Sequence, residues 1–385
     1  MRLLMITADF PPSVGGMQVY SWELAQAWAP LVTALSVIAP RHPQSTETDS
    51  NAPFEVRRVA YAKDSFAFSG VPPVRRAIAA MQPDAIFATS WSCASGALQA
   101  QRFGRTKVPV FAAAHGRELI LRPLEHVRGL PLQRAYDMLR HTSLAACRRL
   151  FPVSQFTAGL LREHGVREDN IEVVNNGVDS SAYVPRDASA LRERLGLTGK
   201  KVLLTIGRLV ARKGIDDVLQ VLPTLVHAHP DLVYAIVGDG PDRARIEALV
   251  AASGVSAHVR LLGRVGVTEL VDYYNLCDVF VMPSRSDATD VEGFGIVFFE
   301  ASACGKPVVG ARSGGVPDAV VDNETGFLID PGNLHDLTRV LLDLLGDPDR
   351  AKQIGEQGRR HVLANGTWAR SARQIYQAMQ QHVNE

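Results

Sequence analysis

Cysteine is scarce: only Cys93, Cys147, Cys277 and Cys304 occur in 385 residues, and none is paired in a C-x-x-C. That spacing argues against a zinc site or a disulfide scaffold and fits a reducing compartment. Long apolar runs are missing too. No stretch approaches the ~20 apolar residues a membrane span needs. The N-terminal MRLLMITADF enters a strand-like run directly, without the charge–apolar–small order of a secretory leader. Net charge almost vanishes, at +1 from 41 Lys and Arg against 40 Asp and Glu, so no global field points to nucleic acid. Neither repeats nor low-complexity tracts occur, and the dinucleotide fingerprint G-x-G-x-x-G is absent. The D-x-D at Asp347-Pro348-Asp349 reads as a helix cap, with Asp347 at the N-cap and Pro348 at the first helical position, rather than a metal site. These absences leave a cytoplasmic globular protein, expected to need no metal or cofactor.

What is present is alternation. The length exceeds one hydrophobic core and suits two domains. Leu3–Ile6, Leu35–Ile38, Ala85–Ala88, Val108–Ala113, Leu150–Val153 and Ile171–Val174 read as buried strands, with helical patterns such as Met17–Trp28 and Gln155–His164 between them. Asp179–Ala190 is polar, carries Pro185 and reads as a linker. Alternation then restarts at Val202–Ile206, Leu232–Val237, Val259–Leu262, Val279–Met282, Pro307–Val309 and Phe327–Ile329. Thr367–Val383 closes the chain as one more amphipathic helix. The expected fold class is α/β: two Rossmann-like doubly wound domains, 1–182 and 183–366, facing each other across a cleft, with 367–385 crossing back to the first.

Ligands in such sheets bind beyond the carboxyl ends of the strands, and the unusual residues cluster there. Gly15 and Gly16 open a helix after the first strand, as a phosphate-approaching turn or simply a tight one. Arg208 and Lys213 flank a strand-to-helix junction, where two cations oppose the helix dipole unless an anion such as a diphosphate joins them. Solvated loop charge is the alternative. Glu292 and Glu300 enclose an apolar segment; with a helix starting near Gly293, Glu292 lies at its mouth and Glu300 about two turns in. A carboxylate so placed needs partners: vicinal sugar hydroxyls, or a salt bridge with Arg208 or Lys306. His115, at a strand end, either satisfies a backbone carbonyl or meets a substrate hydroxyl. Residues 101–167 carry twelve Lys and Arg against four Asp and Glu. Leu130, Leu132, Ala135, Tyr136 and Leu139 interleave there with Arg128, Arg134 and Arg140. This is either an anionic-membrane docking patch or a solvated helix face.

Glu292-x7-Glu300, within Asp290-Val-Glu-Gly-Phe-Gly-Ile-Val-Phe-Phe-Glu-Ala301 and followed by Cys304-Gly-Lys-Pro-Val-Val309 and Ser313-Gly-Gly-Val-Pro317, resembles the GT4 family of retaining glycosyltransferases, which have the GT-B fold. Gly207-Arg-Leu, Arg212-Lys-Gly214, the Gly-Gly loop, His115-Gly-x-Glu118 and Asn176-Gly-Val-Asp179 agree in order and spacing, so the resemblance covers the whole chain. Asp9-Phe-Pro-Pro, His115-Gly-x-Glu and Asp290-Val-Glu-Gly are similar to the PimB-type branch, the phosphatidylinositol-mannoside mannosyltransferases. The resemblance implies a nucleotide-sugar donor as co-substrate, with GDP-mannose leading and UDP-hexoses the alternative, and a glycolipid or glycan acceptor. It implies that Arg208 and Lys213 grip the donor diphosphate and that Gly16 approaches it. Glu300 then binds the ribose and Glu292 the sugar 3- and 4-hydroxyls, helped by the amides of Phe294, Gly295 and Ile296. His115 meets the sugar near its 6-hydroxyl, and Val265 meets the base through its backbone. No carboxylate suggests itself as a nucleophile, so same-face attack without metal is expected, on a protein that is soluble or peripheral at the inner membrane face. An epimerase, a phosphorylase and a catalytically silent sugar-nucleotide-binding regulator are the rivals, which turnover separates.

Overall fold

The computed structural model describes residues 1–60, 66–104, 106–122, 132–287 and 289–383. The chain divides into two compact units, Met1–Asn176 with Trp368–Glu385, and Gly177–Thr367. The first division falls before the polar linker read from composition. Its cause is local: the Val178 N–H bonds to the Gly366 carbonyl, and Val178 forms a parallel bridge with Thr367, which ties 177–183 to the second unit.

In the first unit, β1 (Arg2–Ile6), β2 (Ala34–Pro40), β3 (Glu55–Val59), β4 (Ala85–Ala88), β5 (Val110–Ala114) and β6 (Arg149–Pro152) form one sheet in the order β3-β2-β1-β4-β5-β6, all parallel. Every residue of β4 and β5 is buried, as expected of strands covered on both faces. The edge strand β3 has no counterpart in the sequence reading. Its Glu-Val-Arg-Arg-Val never becomes fully buried, so it lacks the apolar run that marks the others. Ile171–Val174, read as a strand, makes only one bridge, Leu150 to Ile171, with the N–H groups of Glu172 and Val174 on the carbonyls of Leu150 and Pro152. The neighbouring β6 ends at Pro152, which has no N–H with which to continue a ladder. The helix Trp368–Val383 packs on the helix Gly16–Trp28, and the Trp28 indole Nε1–H donates to the Ala372 carbonyl at 2.8 Å.

In the second unit, β7 (Lys201–Ile206), β8 (Leu232–Val237), β9 (Val259–Gly263), β10 (Val279–Met282), β11 (Val308–Ala311) and β12 (Phe327–Ile329) run in the order β12-β11-β10-β7-β8-β9, again all parallel. Taken from its first strand, this is the strand order of the first unit. In both sheets the order in which strands are added therefore reverses at the centre, between β1 and β4 and between β7 and β10. Open α/β sheets offer a crevice for ligands at that reversal. The core beneath it in the second unit is aliphatic, with Leu203, Ile236, Val281, Val309 and Leu341 buried together. Asp347 accepts from the Arg350 N–H at 3.0 Å and caps the helix Pro348–Asn365, as the sequence suggests. All four cysteines are buried thiols. Among the described residues, no helix is long and apolar enough to cross a membrane.

Candidate functional site

The residues singled out by sequence fall in both units. In the first, Gly15 is the N-cap and Gly16 the first residue of the helix Gly16–Trp28, so the Gly-Gly turn presents free helix N–H groups beyond β1. About one helical turn later, Tyr20 sets its ring edge-on against His115, with centroids 4.6 Å apart. His115 sits just past β5. Its Nε2 hydrogen-bonds the Thr89 carbonyl at 3.0 Å, and its backbone N–H donates to Glu118 Oε1 at 2.7 Å. A carbonyl can only accept, so Nε2 carries the proton and Nδ1 is left as an acceptor. Burial lowers the imidazole pKa, against the opposing pull of Glu118. His115 is thus a neutral, fixed imidazole.

Behind it, Arg140 is buried. It pairs with Asp137 at 2.7 Å and donates to the carbonyls of Glu118 and Leu121 at 3.4 and 3.1 Å, which braces the turn after His115. This corrects its inclusion in a surface patch: its charge is spent internally. Arg149, Arg162 and Arg167 are likewise paired, with Glu172, Glu168 and Asp169. Tyr136 and Leu139 pack against the core, whereas Met138 is 69% exposed. Leu130 and Arg128 lie outside the described residues.

In the second unit the sites gather at the sheet reversal. Arg208 follows β7, is exposed, and makes no hydrogen bond or ion pair among the described residues. Lys213 precedes the helix Ile215–Ala228 and is buried, with Nζ 2.6 Å from Glu292 Oε2. Gly214 between them has φ +70°, and a Cβ there would overlap the Pro283 carbonyl oxygen, so only glycine lets this turn close on β10. The anion that a lysine at this helix start calls for is therefore supplied, in part, by Glu292. Two residues missed in the sequence complete the set. Arg212 Nη1 lies 2.6 Å from the same Glu292 oxygen, and its Nε is 2.9 Å from Asp290 Oδ2. Burial alone would push the Glu292 carboxyl up, but the Lys213 ammonium and the Arg212 guanidinium hold it down at about 2. It is an ionised carboxylate whose Oε2 is doubly engaged. The signal for Arg212 was present, one residue from Lys213, and went unread because its own ion pairs are long-range. Arg285 secures the same loop, pairing with Asp216 and Asp217 at 2.7 and 3.0 Å.

The helix after Glu292 is Ile296–Ala303, not one starting near Gly293. Gly295 has φ +90°, outside helical space, and caps it. Glu292 consequently lies in the preceding loop, and Glu300 is little more than one turn in. The amides of Phe294, Gly295 and Ile296 make no backbone hydrogen bond among the described residues. Glu300 is buried and pairs with neither Arg208 nor Lys306. Its Oε2 accepts from the Tyr274 hydroxyl at 2.5 Å, and the Tyr183 hydroxyl is a second donor. Lys306 instead donates to the Asn275 carbonyl at 2.9 Å. It makes no ion pair among the described residues, and burial raises the Glu300 carboxyl pKa, which the two phenols only partly offset. Val265 follows β9, and its backbone N–H and carbonyl make no backbone hydrogen bond among the described residues.

Comparison with known proteins places the chain in a family. Residues 14–182 match glycosyltransferase family 4 and residues 187–361 the glycosyl transferases group 1. The chain is 34% identical over 377 residues, 95% of each protein, to the GDP-mannose-dependent alpha-(1-6)-phosphatidylinositol monomannoside mannosyltransferase of Mycolicibacterium smegmatis. The chain belongs to glycosyltransferase family 4. This glycosyltransferase is also 29% identical over 380 residues to the GDP-mannose-dependent monoacylated alpha-(1-6)-phosphatidylinositol monomannoside mannosyltransferase of Corynebacterium glutamicum, which it matches over 95% of this chain and 94% of that one. Its fold is the GT-B fold. Anabaena HepE in complex with UDP superposes with a TM-score of 0.82 at 21% identity over 99% of this chain and 100% of that one. Sucrose-phosphate synthase from Thermosynechococcus elongatus does so with a TM-score of 0.82 at 22% identity over 99% of both.

Proposed function

We propose that this glycosyltransferase transfers mannose from GDP-mannose to a lipid-linked acceptor, with retention of anomeric configuration and without a metal. The observation that carries the donor is the similarity, over 95% of both chains, to a GDP-mannose-dependent mannosyltransferase. The chemistry is carried by the second unit. Arg208, exposed and unpaired among the described residues, and Lys213 hold the diphosphate; the amides of Phe294, Gly295 and Ile296 add donors of fixed position, and from the first unit the Gly16 turn adds its own. Glu292, ionised, accepts from the sugar 3- and 4-hydroxyls, Glu300 from the ribose, and the Val265 backbone from the base. Neutral His115, its Nδ1 lone pair available, accepts from the sugar near its 6-hydroxyl.

Attack occurs on the face the nucleotide leaves, through an oxocarbenium-like transition state, and the leaving diphosphate takes the acceptor proton. Charge then develops on that diphosphate, where fixed cations and helix amides stabilise it without reorganising. Docking on anionic lipid belongs to the same reading. Arg102, Lys107 and Arg134 remain unpaired among the described residues of 101–167, beside the exposed Phe103 and Met138.

The test is nucleotide release from GDP-mannose, UDP-glucose, UDP-galactose and UDP-GlcNAc, with mixed membrane lipids as acceptor and Glu292→Ala as control. Lipid-dependent GDP release that the variant loses supports the reading. Release of UDP alone discards mannose, and binding without turnover points to the silent regulator. Absence of liposome flotation at low salt removes the membrane surface.

A further inference from the structure

We propose that Arg212 is a positioning residue: it keeps the Glu292 carboxylate compensated when Lys213 leaves it for the donor diphosphate. The inference rests on the reading of Lys213 as a diphosphate ligand. Lys213 and Arg212 both place a nitrogen 2.6 Å from one Glu292 oxygen, Oε2. All three side chains are largely buried, at 9% exposure for Lys213, 12% for Glu292 and 16% for Arg212. A single ammonium asked to serve both a buried carboxylate and an incoming diphosphate would strand one of them, and a buried charge without a partner is strongly unfavourable. The second cation on Oε2 removes that conflict. Lys213 becomes free to turn to phosphate while Glu292 stays ionised.

Asp290 makes the arrangement one-directional. Its Oδ2 is 2.9 Å from Arg212 Nε, so the guanidinium is held between two carboxylates, whereas Lys213 makes one ion pair among the described residues, to Glu292, and feels Asp290 only at longer range. Of the two cations, the lysine is the one with less to lose on moving. The groups facing Glu292 are thus Lys213 and Arg212, with Asp290 beyond Arg212. Arg212 also offers its backbone carbonyl to the Arg285 N–H at 2.6 Å, which anchors its main chain to the loop after β10. The guanidinium therefore acts from a fixed base.

The experiment is calorimetric binding of GDP and of UDP to the full chain, comparing wild type, Arg212→Met, Arg212→Lys, Glu292→Gln, the Arg212→Met/Glu292→Gln double variant and Lys213→Ala. Arg212→Met should weaken nucleotide binding about tenfold, and Arg212→Lys should recover most of it. The decisive result is the double variant. With no carboxylate left to strand, it should bind nucleotide as Glu292→Gln does. Affinity of Arg212→Met should also rise as pH falls and Glu292 takes up a proton, beyond any change seen in the wild type. A double variant as weak as Arg212→Met, or a single variant as strong as wild type, overturns the proposal. Unchanged binding by Lys213→Ala overturns instead the reading on which it stands, as does wild type that binds neither nucleotide.

Discussion

Removing one oxygen atom from Tyr274 should expose how the buried Glu300 is tolerated. Its carboxylate makes no ion pair among the described residues and relies on two phenols, of which Tyr274 donates at 2.5 Å. Tyr274→Phe deletes that donor without leaving a cavity. A hydrogen bond to a charged group contributes about 1.5–3 kcal/mol, so we expect a loss of about 2 kcal/mol near neutral pH. For a unit of ~200 residues that is roughly 4–8 °C in Tm. The pH dependence fixes the cause. The Glu300 pKa is raised on folding, so the folded protein binds the proton more tightly, and the penalty of burying the charge is relieved as pH falls through the folded value. The phenol chiefly serves the ionised form, so the gap between wild type and Tyr274→Phe should be widest at high pH and shrink on acidification. Thermal unfolding at pH 8 and at pH 5, with nucleotide binding alongside, reads both effects. A gap that is absent, or that widens toward acid, refutes the account of Glu300 as a carboxylate solvated by phenols.

Glu292 should behave in the opposite sense. Its carboxyl falls from the ordinary 4.5 to about 2 in the fold, so its stabilisation is complete above pH ~4.5 and is lost between there and ~2. Glu292→Gln should flatten the acid limb of the stability curve and cost about 3–5 kcal/mol at neutral pH, since it leaves two buried cations facing each other; urea unfolding across pH checks this. Gly214→Ala forces a side chain into positive φ and onto the Pro283 carbonyl. It should cost at least about 2 kcal/mol and weaken nucleotide binding, because Lys213 is the preceding residue.

Much of this was legible in the sequence. Buried strands announce themselves as apolar runs, which is why β1, β4, β7 and β10 could be placed. The edge strand β3 escaped because Arg57 and Arg58, paired with Glu55 and Asp49, break the apolar run. The start of the helix Ile296–Ala303 was misjudged by a few residues because glycine in either of two positions reads alike until a positive φ settles the matter. Glu292, Glu300, Arg208 and Lys213 stood out as charges at strand ends. Their partners did not. Tyr274 reaches Glu300 across 26 positions and Arg212 reaches Glu292 across 80, and one sequence carries no mark of contacts at that distance.

The helix Trp368–Val383 has a consequence for synthesis. Because it packs on the helix Gly16–Trp28 and receives the Trp28 hydrogen bond, the unit made first on the ribosome cannot be completed until its last element is translated. The intervening Gly177–Thr367 is contiguous and can fold earlier. During that interval the flank of the first unit around Trp28 and Tyr20 stays uncovered, an apolar surface for a chaperone to hold. Shortening the chain at Thr367 would leave it so permanently: the cut removes part of a core, not a tail.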